Sequence, residues 1–266
     1  MDTPLISIIL PTYNGSKYIT SAITSVLSQS YDNIELIIIN DASTDQETER
    51  IILKLQKKDT RIRYLKNEKN RERSASKNRG VAEAKGEFIA FIDDDDIWSD
   101  QEKLQKQMLI MYNNSNIGMV GTQAITIDEV GSENGKIILR TDDTDIRANL
   151  LLTNQFIQSS MLLKKNIFEG VGGFNEGMNL CEDYDLWLRI ASITCCANIP
   201  DYSIRYMART NNTTAKNMLR MKNVSLQLAW KYREDFPGIY KALLVRLITF
   251  FIPLKLIVQL QKILSH

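Results

Sequence analysis

Phe88-Ile89-Ala90-Phe91-Ile92 runs directly into Asp93-Asp94-Asp95-Asp96. The apolar run is short and rich in aromatic residues, and Gly86 precedes it. Such a run predicts a buried strand in a sheet that is covered on both faces. Ligands of open α/β sheets bind at the carboxyl ends of the strands, which is where the four aspartates lie.

The four carboxylates of Asp93–Asp96 raise one another's pKa unless positive charge lies between them. A divalent cation would supply that charge, and one that keeps free coordination positions commonly holds substrate phosphates. The alternative is a solvated acidic turn, followed by a helix cap at Ser99 or Asp100. The pattern favours the metal and phosphate site.

Length and composition fit one large domain, or one domain with an appendage, since 266 residues of 44% hydrophobic content can bury a substantial core. The net charge of +1 gives no sign of a nucleic-acid partner. The odd number of cysteines (Cys181, Cys195 and Cys196) argues against a disulfide framework, and their spacing is not that of metal ligands. The apolar run Leu5–Leu10 is too short for a signal peptide, so we expect a cytoplasmic protein.

The first hundred residues alternate between strand and helix patterns, which predicts a parallel, doubly wound sheet. Before Phe88, strands are predicted at Leu5–Leu10, Ile34–Asn40 and Ile62–Leu65, with amphipathic helices after the first two. The basic stretch Arg71–Lys77 is predicted to be flexible and to lead into a helix that Gly86 stops.

Polar residues follow three of these strands, at Thr12–Asn14, Asp41–Asp45 and Asp93–Asp96. Right-handed crossovers bring these loops to one edge of the sheet. The sequence contains neither a G-x-G-x-x-G motif nor a Walker Gly-Lys-Ser/Thr motif, so phosphate charge must be met by a metal and by basic side chains.

The second half is less regular, with strands predicted at Gly118–Ile127 and Ser159–Lys164 and a helix at Ile146–Leu152. A glycine-dense loop, Gly170–Phe174, precedes a helix in whose first turn Glu182 and Asp183 lie. The helix dipole alone favours carboxylates there. It does not explain the glycine loop and the aromatic residues beside them, and so we predict a catalytic role for the pair.

Five linked motifs resemble those of the family 2 glycosyltransferases, in order and in spacing, over roughly residues 5–210. They are Pro11-Thr12-Tyr13-Asn14, Asn40-Asp41-Ala42-Ser43-Thr44-Asp45, Asn78-Arg79-Gly80, Asp93–Asp96 and Glu182-Asp183-Tyr184-Asp185-Leu186-Trp187. The resemblance implies a GT-A fold, which is an α/β fold with a Rossmann-like, mostly parallel central sheet, and inversion at the transferred sugar.

The resemblance also implies roles for individual residues. Thr12, Tyr13 and Asp41 would hold the nucleobase, which is usually uracil. Asp95 would bind a Mn²⁺ or Mg²⁺ ion that bridges the diphosphate, with Asp93 or Asp94 near the ribose and the waters of the metal. Asp183 would be the general base, with Glu182 beside it. The full set for the nucleotide is Thr12, Tyr13, Asn14, Asp41, Ser43, Lys77, Asn78, Asp93, Asp94 and Arg209, and the set for the metal is Asp95 and Asp93.

Three features depart from the family pattern or leave it ambiguous. Lys77 stands where relatives often have an arginine, so a point charge replaces a bidentate fork. The histidine that many relatives carry near the diphosphate is absent, and Arg209 could meet the diphosphate in its place. Asp183-Tyr184-Asp185 also matches the D-x-D pattern, so the pattern alone does not identify the metal site. The position directly after a strand favours Asp93–Asp96 for the metal.

The tail from Ile239 to Leu264 is apolar and basic and contains no acidic residue. Its longest uncharged run, Leu247–Leu254, is far shorter than the roughly 20 residues that span a bilayer, and it contains Pro253. Such a segment can lie on an anionic membrane surface. The alternative is a helix packed on the domain or on a second subunit. The resemblance favours the membrane, because relatives of this size often act on lipid-linked acceptors.

The sequence thus predicts a GT-A domain over residues 1–210, with a nucleotide-binding half of about 1–115 and an acceptor-binding half of about 116–210. A helical segment over 211–266, membrane-contacting through 239–264, follows. The predicted function is inverting, metal-dependent transfer from a UDP-sugar to a saccharide or lipid-linked acceptor of bacterial surface polysaccharide, at the inner face of the plasma membrane. The alternatives are a metal-dependent nucleotidyltransferase and a catalytically silent sugar-nucleotide- or polysaccharide-binding protein.

Overall fold

The computed structural model describes residues 3–208 and 218–251. In this part of the chain nine strands form one sheet, in the order β3-β2-β1-β4-β8-β6-β9-β5, and β7 pairs with β6. The strands are β1 (Ile6–Thr12), β2 (Ile34–Asn40), β3 (Ile62–Lys66), β4 (Phe88–Phe91), β5 (Ile97–Trp98), β6 (Ile117–Ile127), β7 (Glu133–Ile137), β8 (Leu162–Lys164) and β9 (Cys195–Met207). The helices are α1 (Ile19–Leu27), α2 (Gln46–Gln56), α3 (Glu72–Ala82), α4 (Lys103–Asn113), α5 (Asp143–Leu150), α6 (Lys165–Gly170), α7 (Glu182–Ala191), α8 (Met218–Lys231) and α9 (Ile239–Phe251).

The first four strands of the sheet order, β3-β2-β1-β4, are parallel throughout. Successive residues of β1 point to opposite faces, so that Ile8 and Leu10 join one core cluster while Ile9 joins the other. Both faces are therefore covered, which explains why these strands read as continuous apolar runs. β1, β2 and β4 end at the same edge of the sheet, where their following loops meet.

The other side of the sheet mixes both strand directions. β8 is antiparallel to β4 and to β6, whereas β9 is parallel to β6 over most of its length. The short strand β5 follows the Asp93–Asp96 run and pairs antiparallel with β9. The acidic run is thereby held between a strand of the parallel half and a strand of the mixed half. The predicted α/β fold with a central sheet and flanking helices is confirmed.

The prediction of a flexible stretch over Arg71–Lys77 is wrong, because α3 begins at Glu72. Ser74, Ser76 and Lys77 in its first two turns are buried, and Lys77 is only 1% exposed. Gly80 lets the helix approach the sheet, since a Cβ atom there would lie 2.6 Å from Ile9 Cγ2. Packing against the sheet, rather than an apolar stripe, stabilises this helix.

Two other boundaries differ from the sequence-based predictions. The predicted strand Ser159–Lys164 begins with a 3₁₀ turn (Gln158–Ser160) and becomes a strand only at Leu162. β9 carried no clear period-2 signal and was not predicted, although it is 13 residues long. Its register against β6 shifts at several points, and such irregularities shift the alternation of inward and outward residues on which strand prediction depends.

The C-terminal helices pack on the domain over part of their length. Leu228, Ala229, Tyr232, Phe236 and Ala242 belong to the same core cluster as the residues of α7. By contrast, Tyr240, Leu244 and Leu247 on α9 are exposed. No helix in the described ranges has the length and apolarity that crossing a bilayer requires.

Candidate active site

The ends of β1, β2 and β4 surround a cavity of about 440 Å³. Thr12, Tyr13, Asp41 and all four residues of the acidic loop (Asp93–Asp96) line it. The structure thus brings together most of the residues that sequence reasoning assigned to the nucleotide and the metal. Because strands β1, β2 and β4 are parallel, their polar ends converge without any local sequence proximity.

Asp41 is nearly fully buried, and its Oδ1 atom accepts two hydrogen bonds. Asn67 Nδ2 donates at 2.6 Å and the backbone N–H of Arg71 at 2.9 Å. The backbone N–H of Asp41 donates to the carbonyl of Thr12 at 2.8 Å, so the two loops are tied together. These contacts fix the direction of the Asp41 carboxylate at the wall of the cavity.

The aspartates of the acidic loop have different partners. Asp94 Oδ2 accepts a hydrogen bond from Thr12 Oγ1 at 2.5 Å. Asp93 Oδ1 accepts from Gln158 Nε2 at 3.1 Å and lies 3.5 Å from Lys77 Nζ. Burial acts to raise the pKa of Asp93, but the nearby cations Lys77 and Arg73 outweigh it and hold the pKa below its ordinary value.

Asp96 belongs to the acidic loop and also connects this loop to Ser159 and to β9. It is 1% exposed, and its oxygens accept hydrogen bonds from Ser159 Oγ at 2.5 Å and from the backbone N–H of Met207 at 2.9 Å. Burial, followed by the charges of Asp95 and Asp93, raises the pKa of Asp96 well above its ordinary value. Burial and the neighbouring carboxylates therefore favour the protonated, neutral form of Asp96.

The chemistry of the acidic loop fits a divalent cation bound together with phosphate. In the described ranges no three Asp, Glu, His or Cys side chains are placed to hold an ion by themselves. Asp93 and Asp95 instead face a cavity with room for further oxygen ligands. Mg²⁺ and similar ions are commonly bound in this way, by one or two carboxylates with substrate phosphates and water.

A second cavity, of about 390 Å³, adjoins the first, because Glu72, Arg73, Asp93 and Tyr206 line both. Glu182, Asp183 and Lys77 line the second cavity alone. Its lining also includes the apolar residues Ile137, Leu139, Phe156, Ile157, Met178, Leu180 and Met221. The two acidic groups predicted from the sequence therefore face connected spaces.

The carboxylate of Asp183 is held at both oxygens. Oδ1 accepts from the backbone N–H of Tyr184 at 2.8 Å, and Oδ2 accepts from Asn154 Nδ2 at 3.1 Å. Burial, and next the charge of Glu182, raises the pKa of Asp183 to about 6. A carboxylate with this pKa is ionised at neutral pH and is still a stronger base than an ordinary aspartate.

Packing fixes the helix that carries this acid pair (Glu182 and Asp183). Trp187, about one turn further along α7, is fully buried and contacts the rings of Phe156 and Phe174. Phe174 in turn packs edge-on against Phe91 of β4, at 5.3 Å between ring centroids. The aromatic cluster thus connects α7 to β4, the strand that ends in the acidic loop.

Three predicted nucleotide residues do not line either cavity. Asn14 Oδ1 accepts from the backbone N–H groups of Thr44 and Asp45, and Ser43 Oγ accepts from the Asn14 N–H at 2.9 Å. Asn78 bonds to the N–H and the carbonyl of Phe174. Their side chains connect loops. Arg209 lies outside the described residues.

Sequence reasoning did not single out several residues that line the site: Arg73, Asn154, Gln158, Ser159 and Tyr206. Arg73 is the most notable, since Asp93, and then Glu182, raise its pKa above its ordinary value. Its charge in the first turn of α3 was visible in the sequence, but only the helical conformation aims it at the cavity. The others are uncharged at neutral pH and carry no motif.

A family model described as "Glycosyl transferase family 2" matches residues 7–172, which is more than half of the chain. The chain belongs to glycosyltransferase family 2. An uncharacterised glycosyltransferase of Methanocaldococcus jannaschii is 30% identical over 251 residues, which cover 89% of this chain and 83% of that protein. The resemblance inferred from the five motifs is confirmed.

Solved structures of two glycosyltransferases superpose on the chain. A mannosyltransferase of Pyrobaculum calidifontis in complex with GDP-Man and Mn²⁺ gives a TM-score of 0.70 at 18% identity, over 91% of this chain and 69% of that one. TarS of S. aureus in complex with UDP-GlcNAc gives 0.67 at 18% identity, over 84% and 66%. At these identities the likeness shows the fold alone, and it confirms the predicted GT-A fold. Family and fold together support glycosyl transfer as the activity of this glycosyltransferase.

Proposed function

We propose that this glycosyltransferase transfers a sugar from a UDP-sugar to a hydroxyl of a saccharide acceptor, with inversion and with a divalent metal. The observation that carries the proposal is the pair of connected cavities, one lined by the acidic loop and the other by Asp183. A displacement of this kind needs a charged leaving group on one side of the sugar and a base on the other. The two acidic groups supply one function each.

On the donor side, Asp41, Thr12 and Tyr13 line the part of the first cavity that we assign to the nucleobase. Two hydrogen bonds fix the Asp41 carboxylate, which would accept a hydrogen bond from a ring N–H of uracil. Asn14, Ser43 and Asn78 would act by holding the loops of this wall and of the neighbouring glycine loop. The neighbouring solved structures contain GDP-Man and UDP-GlcNAc, so the choice of base is open to experiment.

For the diphosphate, Asp95 and Asp93 would hold Mn²⁺ or Mg²⁺, with Asp94 beside them. When bound, the ion supplies neutralisation of the charge that develops on the leaving group. Lys77 lies 3.5 Å from Asp93 and would keep that carboxylate ionised and oriented. Arg209 remains a candidate for contact with the diphosphate.

On the acceptor side, Asp183 would take the proton of the attacking hydroxyl. The acceptor oxygen then forms a bond to the anomeric carbon while the bond from that carbon to the diphosphate oxygen breaks on the opposite face. This single displacement inverts the configuration and moves one proton to Asp183. Glu182 would contribute by raising the basicity of Asp183 through its charge.

The first experiment is thermal-shift binding of UDP, GDP, CDP and ADP, each with and without Mn²⁺. A ligand that binds only the native state raises the melting temperature by mass action. We expect a Mn²⁺-dependent rise with UDP alone. A rise with another nucleotide would keep the enzyme class and change the donor, and no rise with any nucleotide would contradict the donor site.

We also propose that the acceptor is lipid-linked, in bacterial surface polysaccharide synthesis, and that residues 239–264 contact the inner face of the plasma membrane from the cytoplasm. On α9, Tyr240, Leu244 and Leu247 recur at helical spacing and are 83%, 58% and 60% exposed. The tail around them is basic and has no acidic residue, which complements an anionic bilayer. In this arrangement residues 1–210 form the catalytic domain, with a donor half of about 1–115 and an acceptor half of about 116–210.

Cosedimentation with lipid vesicles tests the membrane contact. Leu244→Glu should reduce binding to vesicles that contain anionic lipid, because it places charge on the apolar face. Leu109→Glu is the matched control, since Leu109 is also 58% exposed but lies on α4. Equal binding of the two variants and of the unmodified protein, or no binding at all, would contradict the contact.

A further inference from the structure

One short segment contacts both acidic groups of the site. In this bridging segment (Asn154–Ser159), which connects α5 to the strand β8, Asn154 donates to Asp183 while Gln158 and Ser159 bond to the acidic loop. The acid pair and the acidic loop lie about 90 residues apart in sequence. The bridging segment therefore connects the proposed base to the proposed metal ligands through direct hydrogen bonds.

Asn154 can present only one face of its amide to Asp183. Its Oδ1 atom accepts the backbone N–H of Phe156 at 3.1 Å, so the Nδ2 group is the one that points to Asp183 Oδ2. With Tyr184 N–H on the other oxygen, the carboxylate plane of Asp183 is fixed. A base must be aligned with the acceptor hydroxyl, and this pair of donors sets that alignment.

Ser159 acts at the other end of the segment. Its hydroxyl accepts the backbone N–H of Asp93 at 3.0 Å and donates to Asp96 Oδ2 at 2.5 Å. Its carbonyl accepts from Trp98 Nε1 at 2.7 Å. Ser159 thus bonds to the first residue of the acidic loop, to its last residue and to Trp98 in the strand that follows. Gln158 donates a hydrogen bond to the carboxylate of Asp93.

The middle of the segment is anchored on both sides of the sheet. Phe156 is 3% exposed and belongs to the core cluster that contains Trp187 of α7. Ile157 is 7% exposed and belongs to the opposite cluster, which contains Trp98. Because both neighbouring side chains are packed, the two polar ends cannot move independently of the core.

We propose that the bridging segment Asn154–Ser159 is a positioning element, in which Asn154 orients the base and Ser159 orders the acidic loop, and which thereby sets the separation of the two. The proposal rests on the proposed function for what the two acidic groups do. A change at Asn154 should therefore affect the base, whereas a change at Ser159 should affect the acidic loop. A segment that only fills space would not produce this difference.

The test compares Asn154→Ala and Ser159→Ala with matched controls, one within the segment and one directly after it. Gln155 and Ser160 are 4% and 0% exposed, make their own hydrogen bonds and line neither cavity. Gln155→Ala and Ser160→Ala therefore report the cost in melting temperature of altering this region alone. Each variant is measured for kcat, for the donor KM, and for Mn²⁺ binding by electron paramagnetic resonance.

Asn154→Ala should lower kcat by about 10- to 100-fold, the value of one hydrogen bond to a charged group, and leave the donor KM and Mn²⁺ binding within about twofold. Ser159→Ala should weaken Mn²⁺ binding by about 10- to 100-fold, because the loop that carries Asp93 and Asp95 loses the hydroxyl that joins its two ends. Gln155→Ala and Ser160→Ala should change neither quantity. If each variant behaves like its control, or if both lose the same property, the proposal is overturned.

An NMR titration tests the positioning role of Asn154 independently of the proposed function. The carboxyl carbon of Asp183, observed by NMR in protein labelled at aspartate and assigned with Asp183→Asn, titrates whether or not the correct sugar donor is known. Removal of the Asn154 donor should raise its pKa by about half to one pH unit, since a bond to the ionised form is lost.

The charged and titratable groups around Asp183 include Glu182 on its own helix, Lys77 and Arg73 on α3, Asp93 after β4 and Tyr206 on β9. None of them is altered in Asn154→Ala, so a shift of the Asp183 titration belongs to the lost donor. Wild-type protein that neither transfers a sugar nor binds Mn²⁺ would refute the proposed function. An unmoved Asp183 titration in Asn154→Ala would refute the positioning role.

Discussion

The pH dependence of transfer offers the most direct test of Asp183 as the general base. Burial, and then the charge of Glu182, raises the pKa of Asp183 to about 6. Only the ionised carboxylate can accept the proton of the acceptor, so kcat should fall as the pH drops through this value. At pH 5 about one molecule in ten remains ionised, and the rate should fall about tenfold for each further pH unit.

The variant Glu182→Gln tests whether the fall of kcat at low pH, the acid limb of the pH profile, is caused by protonation of Asp183. Two carboxylates in neighbouring, partly buried positions repel each other by about 1 to 2 kcal/mol, which corresponds to about one pH unit. Removing the charge of Glu182 should therefore lower the pKa of Asp183 and move the acid limb to lower pH by about that amount. The profile is measured at saturating metal and donor, so that binding does not limit the rate.

Asp183→Asn should lower kcat by about 10²- to 10⁴-fold, the usual contribution of a general base. Its stability should change in the opposite sense. Because the folded-state pKa is raised, ionised Asp183 stabilises the fold less at neutral pH than the protonated acid does below pH 4. A neutral amide avoids that cost, and so the melting temperature at pH 7 should be maintained or rise.

Asp185→Asn is the matched control on the same helix. Asp185 pairs with Arg189 at 2.8 Å and with Lys231 at 3.5 Å, and it lines neither cavity. This variant should lower the melting temperature and leave the acid limb in place. The assignment of Asp183 is refuted if Asp183→Asn keeps wild-type turnover, or if Glu182→Gln leaves the limb unmoved.

Three further predictions concern the donor side. Asp95→Asn should weaken Mn²⁺ binding by at least about tenfold without a loss of melting temperature, and unchanged Mn²⁺ affinity by electron paramagnetic resonance would remove it from the ligand set. Gly80→Ala should destabilise the protein by about 1 to 3 kcal/mol in urea unfolding, because its methyl group would overlap Ile9; an unchanged midpoint would show that α3 can shift outward. Asn14→Ala should weaken UDP binding in the thermal-shift assay through the loss of its bonds to Thr44 and Asp45, and equal UDP affinity would show that this loop is held by other contacts.

The parallel half of the sheet was predictable because its strands are buried on both faces. Continuous apolar runs, ended by polar residues, give both the strands and the edge at which their ends meet. β9 was not predictable in the same way, since its register shifts break the alternation that a strand on a sheet normally shows. Local pattern therefore predicted the donor side better than the acceptor side.

The start of α3 shows a second limit of local reasoning. A stretch of arginine, serine and lysine is typical of an exposed loop, yet Ser74, Ser76 and Lys77 are buried. Lys77 is accommodated because Asp93 lies 3.5 Å away and the ring of Phe174 lies under its ammonium group. These partners come from sequence positions 16 and 97 residues further on, and so no local period can reveal them.

Helix geometry explains why two D-x-D sequences in one chain have different surroundings. In a helix, residues i and i+2 point in directions that differ by roughly 200°, so their side chains do not face one another. Asp183 accordingly faces the cavity, while Asp185 is 2% exposed and pairs with Arg189 and Lys231. In the acidic loop no helix imposes this separation, and Asp93 and Asp95 line the same cavity. A D-x-D sequence can thus give two carboxylates to one ion where the backbone is not helical. The structural element that carries the motif, and not the motif itself, therefore favours the loop after β4 as the metal site.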